Sequence, residues 1–351
     1  MSEIRRDRLH NQYVIIAPER LHRPDLYPKG ISSHFREYTN KTDKPPLASR
    51  CPFCEGNESL TPPEIFAIRD NEANAPHWKT RVVPNLYKAV QVELEDKSRR
   101  NGMFESIPGV GAHEVLIDST CHDCGIEGLD AQSIENWLRS IIIRIDDLKN
   151  DHRLVHFSIF KNVGASAGAT QAHPHTQILA LPIMPQSELT FLERNLQYYR
   201  RHGRGKVEDV LENELTCKER IVEELGSFVA FCPFASAFPF EVMIAPKRNI
   251  KSLEECSRDE LGELALLLRH LFQKLKQQLG EFDYNLFFRL PPLNSNFENE
   301  PYMDYLHKNY RFTIRITPRI YRLGGFEIAT GMAINPVSPE ECASLLNSKE
   351  I

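Results

Sequence analysis

The segment FKNVGASAGATQAHPHTQILALP, Phe160 to Pro182, sets two histidines and a glutamine at alternate positions, His173, His175 and Gln177, inside an apolar run of strand character. In a strand, residues i, i+2 and i+4 project to one side, so these three side chains share a face. A neutral imidazole is a competent nucleophile toward phosphorus, and its ordinary pKa leaves a sizeable neutral fraction near pH 7. A glutamine two residues on can donate hydrogen bonds to non-bridging phosphoryl oxygens. Unlike a third histidine, it does not readily protonate a leaving group. That favours leaving groups that need no proton, such as a sugar phosphate or another phosphate. Pro174 cannot donate a ladder hydrogen bond and points to an edge or an irregular position. Just upstream, GASAGAT offers closely spaced backbone N–H groups of the kind that cradle phosphate oxygens, although many such runs are plain turns.

Cysteine spacing adds a metal. CPFC, with Cys51 and Cys54, is half of a tetrahedral zinc site, and His113 in GAHEVLI and His173 are the natural partners. A Cys2His2 set leaves no open position, so this zinc reads as structural. Lying two residues from His175, it would steady the strand that presents the nucleophile. A competing set is CHDC, with Cys121, His122 and Cys124. No matching pair lies downstream, so these read as incidental loop cysteines. Cys217, Cys232, Cys256 and Cys342 are scattered singly, as buried thiols are.

The elements that must position these groups come in two similar series. Thr80 to Glu93 and His113 to Ser119 read as strands, Asp130 to Asn150 as an amphipathic helix, and RLVHFSIFKN and AHPHTQILALP as two more strands. The second half repeats that order. Ser227 to Pro246 gives two strands, Ser257 starts a helix with Asp259 and Glu260 in its first turn, and FDYNLFFRL and YRFTIRITPR close the unit. The spacing predicts an α+β protein made by internal duplication, with the boundary between about Pro185 and Gly226. HPHTQIL then falls opposite YRFTIRI, so only the first copy, residues 1–185, carries the histidines. The second, residues 186–351, lacks them.

Composition narrows the class. The chain has 351 residues, 41% hydrophobic and 26% charged, which is ordinary for a globular protein. A net charge of -5 argues against a nucleic-acid partner, though local arginines can still hold a small anion. No apolar run approaches the length of a membrane span, and the N-terminus has no apolar signal core. With the sparse cysteines, this points to a reducing cytoplasm.

The chain resembles the galactose-1-phosphate uridylyltransferase family of the histidine-triad superfamily. The likeness covers most of its length, through RRDRLHNQYVIIAPERLHRP, CPFCEGNESLTPPE, RVVPNLYKA, GAHEVLI, FKNVGASAGATQAHPHTQ, PFASAFPFEVMIAPK and GGFEIATGMAINPV. The resemblance implies two tandem histidine-triad-like domains and a ping-pong nucleotidyl transfer. His175 would attack the α-phosphorus of UDP-glucose, release glucose 1-phosphate, and pass the uridylyl group to galactose 1-phosphate. Gln177, Asn162, Gly168 and Thr170 would contact phosphoryl oxygens. Arg20 and Arg23 would lie near the nucleotide phosphates and Asn85 on the nucleoside side. Gly324, Gly325, Phe326 and Glu327 would form the segment that binds sugar hydroxyls, across the interface of a homodimer. One zinc is expected rather than two, because Arg311 and Thr313 stand where many relatives place second-site ligands. Some relatives with similar motifs prefer adenylyl groups and use phosphate as acceptor, as ADP-sugar phosphorylases. A zinc-stabilised binding module without chemistry is the non-enzyme alternative, and Gln177 disfavours a hydrolase.

Overall fold

In the computed structural model, which describes residues 2–22, 51–95, 97–295 and 300–348, the two series form two copies of one topology. The chain opens with a hairpin of β1 (Glu3–Arg6) and β2 (Tyr13–Ile16). The first copy is then β3 (Phe66–Arg69), β4 (Trp78–Pro84), a small hairpin of β5 (Arg99–Asn101) and β6 (Phe104–Ser106), and β7 (Ala112–Ile117). It ends with helix α1 (Ala131–Leu148), β8 (His156–Val163) and β9 (His175–Leu181). Two helices follow, α2 (Gln186–His202) and α3 (Lys206–Cys217), in the stretch read from sequence only as a boundary. The second copy is β10 (Ile221–Leu225), β11 (Phe228–Phe231), β12 (Val242–Pro246), α4 (Arg258–Leu279), β13 (Tyr284–Arg289), a short helix α5 (Leu306–Asn309) and β14 (Thr313–Pro318). Helix α6 (Gly325–Thr330), β15 (Ala333–Asn335) and helix α7 (Pro339–Asn347) complete the chain.

The sheet order makes the duplication visible. The copies run β3-β4-β7-β9-β8 and β10-β11-β12-β14-β13, the same permutation of five strands. They are not separate sheets. β8 and β13 pair antiparallel, Phe160 opposite Phe287, and join the halves into one ten-stranded sheet. Each copy alone would leave that edge strand with unpaired N–H and C=O groups, and pairing with the other copy removes the liability.

Helices α1 and α4 pack on one face of this sheet. Ile134, Leu138, Ile141 and Ile145 of α1 recur at helical spacing, as do Leu264, Leu268, Leu271 and Leu275 of α4, and all are buried in one cluster. Burial of each such side chain contributes about 1.5–3 kcal/mol. Helix α4 starts where its sequence directs. The Ser257 hydroxyl accepts from the Glu260 N–H at 3.2 Å, and the Glu260 carboxylate accepts from the Ser257 N–H at 2.8 Å.

Along β9, Ile178 and Ala180 point into that helix-backed cluster, and the Trp137 indole of α1 donates to Thr176 at 2.8 Å. His175, Gln177 and Leu179 therefore face the other way. In the second copy, Ile314 and Ile316 are the inward residues of β14. Thr313, Arg315 and Thr317 consequently share the side of His175 and Gln177. The alignment of HPHTQIL with YRFTIRI is thus one residue out of register, because it matches His175 to the inward Phe312. A one-residue slip exchanges the two faces of a strand. Arg311 is held by the Pro246 and Lys247 carbonyls, to which it donates at 3.1 and 2.9 Å. On the second copy this outer face is covered by α2 and α3, packed on Val229, Phe231, Met243 and Ala245.

Candidate active site and metal centre

Four ligand atoms meet beside the start of β9. Cys51, Cys54, His122 and His173 each present one, all within 4.8 Å of one another. Cys54 Sγ lies 3.2 Å from His122 Nδ1 and 3.5 Å from His173 Nδ1. The Nε2–H of His173 donates to the Ser119 carbonyl at 2.9 Å, which fixes the tautomer and leaves Nδ1 as the ligand atom. Burial, and then the neighbouring Cys51, push the Cys54 thiol up to about 11, so a Cys54 thiolate here needs a cation beside it. Two thiolates and two imidazoles suit tetrahedral zinc, and the set is closed.

His113 is not part of this group, contrary to the sequence expectation, and His122 takes its place. His113 lies in β7, whereas His122 sits in the loop after that strand, which folds back over the Cys51–Cys54 turn. Spacing alone favoured the histidine in the clearer motif. The flanking cysteines are not ligands. Cys121 and Cys124 are joined to each other by a disulfide, Cα–Cα 5.5 Å, bracketing His122.

His113 instead serves the reacting lane. Its Nδ1 accepts from the Ala89 N–H at 3.0 Å, so Nε2 carries the proton and donates to Gln177 Oε1 at 3.0 Å. The Gln177 carbonyl is thereby occupied, and its NH2 is the group left for a ligand. Asn85 packs beside the same ring, Nδ2 to Nε2 3.1 Å, with its Oδ1 accepting from the Tyr87 N–H at 2.9 Å.

His175 is oriented by its neighbour's backbone. Its Nδ1 stands 2.9 Å from the His173 carbonyl, which can only accept, so Nδ1 holds the proton and Nε2 keeps its lone pair. Burial lowers its pKa to about 4, against the raising effect of that carbonyl, so the ring is neutral near pH 7. Phe53, from between the two metal-site cysteines, packs 5.3 Å from the His175 ring. A buried polar network supports the strand below. Lys161 forms an ion pair with Asp118, and Asp118 accepts from the Thr176 hydroxyl at 2.8 Å. The sequence carries no sign of this pair, whose members lie 43 residues apart, Lys161 on β8 and Asp118 just past the end of β7. Lys161→Met should strand a buried carboxylate and cost about 3–5 kcal/mol of stability. Lys161→Met/Asp118→Asn should recover at least half of that loss in a denaturant titration; no recovery would show that Lys161 acts through packing alone.

The small-residue loop is a turn rather than an open cradle over most of its length. The Ser166 N–H is taken by Asp283 at 2.6 Å, and those of Ala167, Gly168 and Ala169 by carbonyls of the same turn at 3.1–3.2 Å. Gly164 must be glycine, since its φ is +84° and a Cβ would lie 1.8 Å from an Asp283 oxygen. Asn285 of β13 donates to Asn162 Oδ1 at 2.8 Å and to the Ala167 carbonyl at 2.9 Å. The second copy therefore fixes the loop of the first. Gly168, also at φ +84°, and Thr170 are exposed at the loop's rim.

The remaining expected contacts lie elsewhere in the chain. Arg20 sits in a single turn after β2, and Arg23 falls outside the described residues. Glu327 is buried, with its carboxylate accepting from the Gly324 N–H at 2.9 Å across its own helix start. Gly324, Gly325 and Phe326 beside it are exposed. This segment and Arg20 adjoin one small sheet, β1-β2-β15. Among the described residues, neither Arg20 nor Glu327 makes a hydrogen bond or ion pair with β8, β9 or the loop between them. No helix among the described residues is long and apolar enough to cross a membrane.

Comparison with known proteins places this arrangement. Residues 1–185 match the profile of the galactose-1-phosphate uridyl transferase N-terminal domain, and residues 192–348 match that of its C-terminal domain. The ADP-glucose phosphorylase of Arabidopsis thaliana is 32% identical over 346 residues, covering 98% of this chain and 92% of the relative. A galactose-1-phosphate uridylyltransferase of Thermotoga maritima is 29% identical, covering 89% of this chain and 93% of its own. The crystal structure of an ADP-glucose phosphorylase from Arabidopsis thaliana with bound ADP-glucose superposes with a TM-score of 0.83 at 30% identity, over 100% of both chains. The duplicated sheet and the alternating histidines and glutamine thus belong to an enzyme, a nucleotidyltransferase of the galactose-1-phosphate uridylyltransferase family.

Proposed function

We propose that the protein is an ADP-glucose phosphorylase that works through an adenylyl-histidine intermediate. In the first step the Nε2 lone pair of His175 forms a bond to the α-phosphorus of ADP-glucose. The bond from that phosphorus to the bridging oxygen breaks, and glucose 1-phosphate leaves without needing a proton. In the second step an oxygen of inorganic phosphate attacks the same phosphorus, the N–P bond breaks, and ADP is released. The observation that carries the chemistry is the tautomer of His175, whose Nδ1–H is committed to a backbone carbonyl. Gln177, held through its carbonyl by His113, offers its NH2 to the charge that develops on the non-bridging oxygens. A metal held by Cys51, Cys54, His122 and His173 would supply structural support only, since four protein ligands leave no position for substrate.

The preference for an adenylyl over a uridylyl group rests on the Arabidopsis relative, which is similar across nearly the whole chain. Transfer between UDP-glucose and galactose 1-phosphate is the second reading, favoured by the Thermotoga relative. Glu327 and Arg20 would reach the site of a second copy in a homodimer, because within one chain, among the described residues, neither makes a hydrogen bond or ion pair with β9. Phosphorolysis of ADP-glucose should exceed uridylyl transfer at least about 100-fold in kcat/KM, a difference of about 2.7 kcal/mol. A ratio in the opposite direction would select the uridylyltransferase reading.

A further inference from the structure

The outer face of the second copy, which carries no histidine nucleophile, has a cavity of its own. It measures about 990 Å³ and opens between the N-terminal segment, α2, α3 and the strands β11, β12 and β14. Phe231, Met243 and Arg315 form its floor, so it lies on the same side of the ten-stranded sheet as His175, in the other repeat. Its volume is that of a small-molecule site.

The charge of this cavity is opposite to that of the chain. Arg194 and Arg201 project from one face of α2, seven residues apart, with Arg8 and Lys206 beside them. Among the described residues none of the four has an ion-pair partner; Lys206 lies 5.8 Å over the Tyr198 ring. The acids of the lining are already committed. Asp7 binds His10, Asp209 accepts from Tyr198 at 2.6 Å and pairs with Arg204, and Glu214 pairs with Arg220. A concave wall with four cations that make no ion pair among the described residues, in a chain of net charge -5, is a site for an anion of several charges. Burial, and then Arg194, lower the Lys206 pKa, against the raising effect of Asp7.

We infer that this cavity is a second ligand site, specific for a small polyphosphate, and separate from the nucleotidyl-transfer site. Arginine forks on one helix face match phosphate oxygens in geometry as well as charge. The polyphosphate could be inorganic or carried by a nucleotide, and the test separates these sources. Tripolyphosphate and ATP are titrated calorimetrically into the full chain and into Arg194→Glu/Arg201→Glu, at two salt concentrations. The wild type should bind tripolyphosphate with an affinity that falls with salt. Charge reversal should weaken that binding about 100-fold or more, while kcat/KM at the His175 site stays within about twofold. Arg194→Gln/Arg201→Gln should lie between the two. ATP binding at this site about tenfold tighter than tripolyphosphate assigns it to nucleotides; equal affinity assigns it to the inorganic anion. Absence of tripolyphosphate binding to the wild type, or unchanged affinity in both double variants, would overturn the assignment.

Discussion

His175→Ala is expected to lower nucleotidyl transfer by about four orders of magnitude or more, while nucleotide-sugar affinity changes less than about tenfold. The side chain contributes the bond to phosphorus itself, so nothing else in the lane can replace it. His113 is committed to Ala89 and Gln177, and His173 presents its free nitrogen to Cys54. The loss should be confined to kcat, because the hydrogen bonds of Gln177, Asn162 and the loop do not depend on the imidazole. The wild-type pH profile follows from the same geometry. A pKa lowered by burial to about 4 means that the neutral, nucleophilic form persists above that value. The rate of the first half-reaction should therefore be level from about pH 8 down to about pH 5.5 and fall only beyond it. A drop centred near the ordinary histidine value of about 6.5 would show that the ring is more exposed to solvent than its contacts imply.

His122→Ala and His113→Ala should separate two histidines that sequence alone did not separate. His122→Ala removes a ligand atom from the Cys51, Cys54, His173 group, and the purified protein should contain less than about a tenth of an equivalent of zinc. Structural zinc supports folding directly, so its loss should lower Tm by more than about 10 °C. His113→Ala should keep a full equivalent of zinc and a Tm within a few degrees of wild type. Its cost should appear in kcat, about 10–100-fold, because the Gln177 amide is then free to turn. Metal content by emission spectroscopy with a thermal melt of each variant decides the matter. Zinc lost from His113→Ala and kept in His122→Ala would reverse the two roles.

Much of the site was legible because its signals are local. Alternation at His175 and Gln177 marks one outward face of β9, while His173 lies just before that strand in the metal group, of which the C-x2-C pair is half. Ser257 and Glu260 gave the start of a helix to the residue. What was missed depends on chain reversals that leave no local mark. The loop after β7 brings His122, rather than His113, against the cysteines, and only the folded path distinguishes them. The Lys161–Asp118 pair joins β8 to the residue just past the end of β7, across the β9 strand that lies between them in the sheet. GASAGAT allows either a cradle or a plain turn from sequence, and the choice depends on Asp283 of the other repeat, which no local pattern reveals. Duplication was read correctly as an order of elements. The continuous sheet followed from an edge-to-edge pairing that periodicity does not encode. Helices α2 and α3 were passed over because their apolar positions are interrupted by the charged residues that line the second cavity.

The most direct test is the mass of the trapped intermediate. The protein is incubated with ADP-glucose in the absence of phosphate, quenched at alkaline pH, digested, and the peptide spanning Phe160 to Pro182 is sequenced by mass spectrometry. An adenylyl increment on His175 is expected, discharged as ADP when phosphate is added before the quench. Full turnover with no increment on that residue, under conditions where a synthetic phosphohistidine survives, would contradict covalent transfer through His175.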